Sequence, residues 1–458
     1  MRTIRLPRLA FTRAALRSPL RLALTGLALA TMSTVAKAQD SAQARPTGLP
    51  KGVEWTFNLD AGIGGFGFAN SLYTNVRPDP SGDLSDNWAE SYVKPALTGT
   101  VGLGKSTLYA GLSAVGERTF AAPPPLVGVE AASFGPEDLY IGWRSGTSVG
   151  KATDLLDLSV GRQKFTIGHG MLLWDGAAEG GSRGGFWSNA RKAWAFAGLA
   201  RVTQKVHHLT AFYVDRNGIP EFDENARAFG ANYDLVLNEQ STFGASWFQT
   251  LSDSVPDRDG QNVFNLRAYT APLRSIPDLA FEAEYAYETN GSLVSSNAWT
   301  VQVGYTLSKA AWTPTFSYRY AFFQGDDPAT AENEAFDPLF PGFYDWGTWW
   351  QGEIAGEYFV ANSNLVTNQL RVSLVPSDRL GTGLIAYYFQ FDQPGAVGPG
   401  VTSKDIAGEI DAYADWKANS NFTISVVAAF ANPGAGVAQA YDRTENFVYG
   451  MLFVAYAY

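Results

Sequence analysis

Glu282, Glu284 and Glu288 share one parity in a short segment, and Glu409, Asp411 and Asp415 share one in another. Arg144, Arg201, Arg267, Arg319 and Arg371 take the polar parity of their own segments, as do Glu117, Asp138, Asp157 and Asp234. In extended chain, alternate side chains point to one side. Charges on that side form either a stripe that orients an ionic or sugar-like solute, or an ion-pair ladder that fixes a wall and keeps it wet. Arg162 and Arg227 fall on the opposite parity, and either snorkel or are turned inward by a bulge at a nearby glycine.

A second group of chemically capable residues lies in 324–363. Asp326, Asp327, Glu332, Glu334, Asp337 and Asp345 are interleaved there with Phe336, Phe340, Phe343, Tyr344, Trp346, Trp349 and Trp350. A loop this long is usually functional or folded on itself. Its aromatic faces could stack on sugar rings while the acids bind hydroxyls or Ca²⁺ through oxygen ligands. The alternative is that the aromatics pack the loop into the mouth of a larger structure. No EF-hand spacing is present, and no other cofactor or metal is expected.

Catalysis finds little to work with. The only histidines are His169, His207 and His208. Neighbours on a strand point to opposite faces, which separates His207 from His208. His169 sits in a glycine-rich stretch near Asp175 and Ser182, and neither a G-x-S-x-G nor an H-E-x-x-H motif occurs. Cysteine is absent, so thiolate chemistry and disulfides are excluded. The reading is a non-enzymatic protein.

The elements that must position these charges are strands. In 279–290, Leu279, Phe281, Ala283, Tyr285 and Tyr287 oppose Glu282, Glu284 and Glu288. Trp299, Val301, Val303, Tyr305 and Leu307 then oppose Thr300, Gln302 and Thr306. Ile406, Ile410, Ala412, Ala414 and Trp416 oppose Glu409, Asp411 and Asp415, and Phe422, Ile424, Val426, Ala428 and Phe430 oppose Thr423 and Ser425. The unit recurs from about residue 53, with connections alternately short (308–310, 417–420) and long (253–260, 392–403). Apolar faces begin or end in aromatics such as Trp299, Trp312 and Trp416, where membrane interfaces place them. Eighteen such segments run from 53–68 to 446–458, and the last is amphipathic and ends on Tyr458, a form that barrel assembly machinery reads. Strands in lipid need two neighbours each, because every unpaired backbone group there costs several kcal/mol. The predicted fold is therefore all-β: a transmembrane antiparallel β-barrel of about eighteen strands, with long extracellular loops and an aqueous lumen.

Six arginines precede an apolar stretch from Leu22 to Val35, followed by Ala36-Lys37-Ala38, a small-x-small cleavage site. The expected organisation is a signal peptide at 1–38, a periplasmic segment at 39–52, and a barrel at 53–458 with the loop 324–363 at its mouth. Removing the leader takes away seven of the 34 basic residues and no acid, leaving 27 against 44 and a formal charge of −17. That surface disfavours nucleic acid. The expected setting is the bacterial outer membrane, and the expected function is a channel for a small polar solute or an anionic saccharide. The alternatives are an outer-membrane enzyme and a structural or adhesin barrel.

The chain resembles the alginate-export-like outer-membrane porins. The resemblance rests on Gly161-Arg162-Gln163, Ile167-Gly168, Phe186-Trp187 and Arg191-Lys192-Ala193-Trp194. In the C-terminal half it rests on Gly325-Asp326-Asp327, Phe336-Asp337-Pro338-Leu339-Phe340, Asn364-Leu365 and Pro376-Ser377-Asp378-Arg379-Leu380. It continues in the run from Glu409 to Trp416, in Asn421-Phe422-Thr423, and in Ala429-Phe430-Ala431-Asn432-Pro433-Gly434. It covers about 50–458 and implies an eighteen-stranded monomeric barrel that exports an anionic polyuronate through an arginine-lined pore. On the faces assignable here, acids outnumber arginines, so a weak cation preference is expected of the open channel.

Overall fold

In a computed structural model, the described residues are 52–70, 86–121, 131–174, 176–178, 180–219, 225–273, 275–342, 351–356 and 362–458. The expected signal peptide and nearly all of 39–52 lie outside them, as do Asp345, Trp346, Trp349 and Trp350.

Eighteen strands form one sheet in sequence order, and the sheet closes where β1 pairs with β18. The first nine are β1 (Glu54–Ala69), β2 (Asp86–Leu103), β3 (Ser106–Phe120), β4 (Ala132–Arg144), β5 (Leu156–Arg162), β6 (Phe196–Gln204), β7 (His207–Asp215), β8 (Arg227–Asn238) and β9 (Ser241–Leu251). The second nine are β10 (Asn262–Thr270), β11 (Leu279–Thr289), β12 (Ser295–Thr306), β13 (Thr315–Phe323), β14 (Leu365–Ser377), β15 (Leu380–Gln390), β16 (Asp405–Lys417), β17 (Phe422–Pro433) and β18 (Phe447–Ala457). Every pairing is antiparallel, and at the seam Leu59 and Tyr458 exchange two backbone hydrogen bonds of 3.0 Å.

Two-residue periodicity explains why these segments form a barrel and not a sandwich. The apolar side chains of the outer parity are exposed all round the wall: Ile63, Leu139, Leu266, Val303, Leu370, Leu384, Val426 and Leu452. Such a belt is unfavourable in water and favourable against hydrocarbon. Trp299 stacks on Tyr320 at 5.0 Å on this outer face, and Trp312 and Trp416 stand exposed near the short-turn end.

Most boundaries fall within two residues of the alternation pattern; β13 starts four residues later than expected, at Thr315, and β17 ends three later, at Pro433. The pattern runs β5 to residue 166 and starts β6 at 191, but the strands end at Arg162 and begin at Phe196. Between them the chain leaves the wall at Gly161 (φ 126°) and turns into the bore. Ile406, expected on the lipid face, is fully buried. Phe389 pairs with Ala407 and Gln390 with Asp405, so Ile406 is the extra residue of a bulge and the parity slips there. A short helix α1 (Ala435–Tyr441) occupies the connection between β17 and β18. Alternation carries no signal for it.

The packed interior lies between the wall and the chain inserted into the lumen. Trp187 from the β5–β6 connection meets Trp88 edge-on at 5.0 Å, and Trp88 stacks on Phe66 at 5.1 Å and on Phe68 at 5.4 Å. Phe68 continues the cluster to Phe447 and Tyr449 across the seam.

Candidate functional site: the strap and the charged lumen wall

The β5–β6 connection forms a strap across the bore. One part rests on β10 and β11. Gly168 (φ 56°) touches Arg267 and Tyr269, and the His169 ring stacks on Tyr269 at 3.9 Å. Its imidazole lies 3.6 Å from the Glu282 carboxylate on β11. The other part rests on β2, β3 and β4. Glu90 accepts the backbone N–H groups of Trp187 and Ser188, both at 2.8 Å. Glu117 accepts Ala190 N–H at 3.3 Å and pairs with Arg191 at 3.0 Å. Glu137 accepts Ala193 N–H at 2.9 Å and pairs with Lys94 at 3.3 Å. In an eighteen-strand ring, β2 and β11 are nine places apart, so the strap joins opposite walls. The three carboxylates are almost fully buried. Charge-assisted bonds to otherwise orphaned backbone donors are what make such burial tolerable.

Two further segments insert. Phe340 exchanges backbone hydrogen bonds with the strap at Leu172 (3.0 Å) and Trp174 (2.8 Å), and its ring meets Trp194 edge-on at 5.2 Å. Phe336 and Leu339 are buried beside it. For these described residues, the aromatics of 324–363 pack the loop into the barrel. Asp337 is held by both arms of Arg258 at 2.7 and 2.6 Å, and its N–H donates to Glu288 at 2.8 Å. At 352–356 a π-helical turn points the N–H groups of Ile354 and Ala355 at Glu409 (2.8 and 2.6 Å), and that of Glu353 at Asp411 (3.1 Å).

The remaining expected charges divide by environment. Arg267 is buried and pairs with Asp234 at 2.8 Å, with Asn232, Ser246 and Asn265 around it. Glu284 accepts bonds from Asn265 (2.9 Å) and Tyr269 (3.0 Å). Arg319 lies 3.9 Å from Glu282. Arg371 bonds to the Tyr413 hydroxyl, and Asp415 accepts Ser425 at 2.6 Å. Arg144 pairs with Asp157 at 3.4 Å, Arg201 donates to Ser159 at 3.4 Å, and Asp138 accepts Ser113 at 2.6 Å. Arg162 holds outward parity and bonds to the Glu137 carbonyl at 3.2 Å, and Arg227 pairs with Asp253 at 2.7 Å. On the outer loop, Asp326 accepts Glu334 N–H at 3.1 Å and Asp327 accepts Ala329 N–H at 2.9 Å. Burial, with Glu334 and Asp327 beside it, holds the Asp326 carboxyl above its ordinary range.

Under the strap lies a cavity of about 370 Å³, lined by Lys164, Thr166, Arg201, Thr203, His208, Thr210, Asn232 and Asp234. His207 points the other way, to the Tyr233 hydroxyl at 2.7 Å. Among the described residues, no group of three or more His, Asp or Glu is placed to hold a metal ion.

Glu90, Lys94, Glu137 and Lys164 were not among the residues expected from sequence. Parity alone would not have singled out Glu90 and Lys94, because they share their face of β2 with Trp88 and Tyr92 and all four are buried. Nor could it have found Glu137. A register shift between β3 and β4 at Leu112/Ala114 turns both Glu137 and Asp138 inward.

Residues 139–451 match the family model described as alginate export. The chain belongs to the alginate export family. Within that family's outer-membrane setting the barrel is a channel, and its location is the bacterial outer membrane. No curated protein sequence matches the chain. Among solved structures it is similar to a BenF-like porin from Pseudomonas fluorescens Pf-5 (TM-score 0.56, 10% identity, 88% of this chain and 98% of that one). It is also similar to OccK5 (OpdH) from Pseudomonas aeruginosa (0.54, 11%, 88% and 97%). A third is the outer membrane protein OprD from Pseudomonas aeruginosa (0.52, 16%, 88% and 94%). At these identities the likeness is one of fold.

Proposed function

We propose that this alginate export family channel passes a small hydroxylated carboxylate, a sugar acid in chemical class, and that the solute is held beneath the strap by Lys164 and Arg201. The observation that carries this is the 370 Å³ cavity, in which those two cations stand among Thr166, Thr203, Thr210 and Asn232. Cations suit a carboxylate, and hydroxyl and amide groups suit sugar hydroxyls. The volume falls in the range of about 300–1,000 Å³ usual for small-molecule sites. Many acids of the wall do not compete for the solute, because Glu90, Glu117, Glu137, Glu288, Glu409 and Asp411 are engaged by inserted chain.

The reading is non-enzymatic and needs no cofactor. The His169 ring is stacked on Tyr269 beside Glu282. The barrel works as a monomer, assembled through its terminal strand. The closed ring of exposed apolar side chains on β1 to β18 supports a lipid contact on every side.

Current block in planar bilayers tests the solute class. Glucuronate is expected to interrupt the current more often than glucose at equal concentration, and Lys164→Gln with Arg201→Gln to abolish the difference. Equal block by the two sugars, or a difference that survives both substitutions, would reject the reading.

A further inference from the structure

We propose that His169 sets the ion selectivity of the passage beside the strap through the charge of its imidazole. This deepens the channel reading and rests on it. The strap delivers His169 to the wall at a site where only glycine fits before it: a Cβ on Gly168 would lie 2.5 Å from the Arg267 Cδ and 2.7 Å from the Tyr269 hydroxyl. The Tyr269 hydroxyl accepts the His169 N–H at 3.2 Å and donates to Glu284 at 3.0 Å, while the two rings stack. The imidazole is thus fixed by its own backbone and by β10, and it remains 38% exposed to the lumen.

Among the described residues, the charged and titratable groups around it come from four strands. β10 contributes Arg267 and Tyr269, β11 contributes Glu282 and Glu284, and β13 contributes Arg319. Asp234 of β8 lies behind Arg267. Gln302 of β12 sits in register between Glu282 and Arg319 and is uncharged. The inserted segment Pro338–Gly342, which bonds to the strap at Gly170, carries no titratable side chain. Glu282 lies 3.6 Å from His169 and 3.9 Å from Arg319, and Arg267 is matched by Asp234 at 2.8 Å. These two cation–anion pairs nearly cancel, and Glu284, bonded to Asn265 and Tyr269, adds a third carboxylate. One proton on His169 therefore changes the local balance by a full unit of charge, in a passage whose low-dielectric walls focus the field. Histidine is the side chain whose charge ordinarily changes between about pH 5 and 8, so acidification turns the passage toward anions.

The test is the reversal potential of the purified channel in planar bilayers under a KCl gradient, at about pH 8 and about pH 6. For the unmodified protein the anion-to-cation permeability ratio is expected to rise about threefold on acidification, the scale of one unit charge acting over a few ångströms of water. His169→Gln should hold the alkaline value at both pH values, and His169→Lys the acidic value at both. Glu282→Gln, which keeps the histidine, should raise the ratio at both pH values. A pH shift that persists in His169→Gln, or that disappears in His208→Gln instead, overturns the proposal. Loss of all conductance from barrels that remain folded on semi-native gels would overturn the channel reading and this proposal with it. Conductance without a pH shift overturns this proposal alone.

Discussion

Gly168 and Arg267 meet so closely that a methyl group on the glycine would penetrate the arginine side chain, with a Cβ–Cδ separation of 2.5 Å. Their contact fixes where the strap touches the β10 wall. Gly168→Ala adds that clash to a left-handed backbone (φ 56°), which alone costs about 1–2 kcal/mol for a residue with a side chain. The expected outcome is a strap withdrawn from β10, a higher single-channel conductance and noisier open current. Conductance and noise unchanged from the parent channel would show that the contact does not limit the passage.

Glu90 is the anchor for the other part of the strap. Glu90→Ala leaves the buried N–H groups of Trp187 and Ser188 without their acceptor, at about 1–3 kcal/mol for each unsatisfied donor. The barrel itself keeps its ladders, so it should still fold. The midpoint of heat-induced mobility change on gels should fall, and the strap should become accessible to protease. Glu90→Gln, which retains one acceptor oxygen, should fall less. A midpoint equal to the parent in the alanine variant would argue against the clasp.

Asp337→Ala removes both bonds to Arg258. The pair is partly buried, at 12% and 22% side-chain exposure, so its loss lies between the small cost of an exposed pair and the larger one of a buried pair, about 1–3 kcal/mol. The segment 336–342 should loosen from the strap and raise conductance, with little change in barrel assembly. A change in assembly without a change in conductance would place the pair's role in folding.

Val426 and Ser425 are neighbours on β17 that face opposite ways: Val426 is 46% exposed on the outer face, and Ser425 bonds to Asp415 inside. Val426→Arg should reduce the yield of folded protein in outer membranes, at about 2–4 kcal/mol for a charge near the bilayer midplane. Ser425→Arg should assemble normally. Equal yields would contradict the assigned lipid face.

The sequence by itself determined the strands, their number and which side chains face lipid. Those properties are local: side-chain direction reverses at every residue of extended chain, so the parity of Val426 against Ser425 can be read without knowing any partner. It failed locally where a bulge broke the count, at Ile406 and at Glu137 beside Asp138. What only the tertiary structure decided was the use of the inward charges. Glu282 and Glu288 share parity and strand, yet one faces an exposed histidine and the other is sealed under Asp337. Glu409 and Asp411 hold a turn delivered from a segment more than 50 residues earlier in the chain. The strap's alternation at Phe165 and Ile167 resembles a strand continuing in the wall. Its true partners are on β2–β4 and β10–β11, and contacts so distant in sequence leave no periodic trace in it. Burial then converts carboxylates into anchors wherever inserted backbone offers N–H donors.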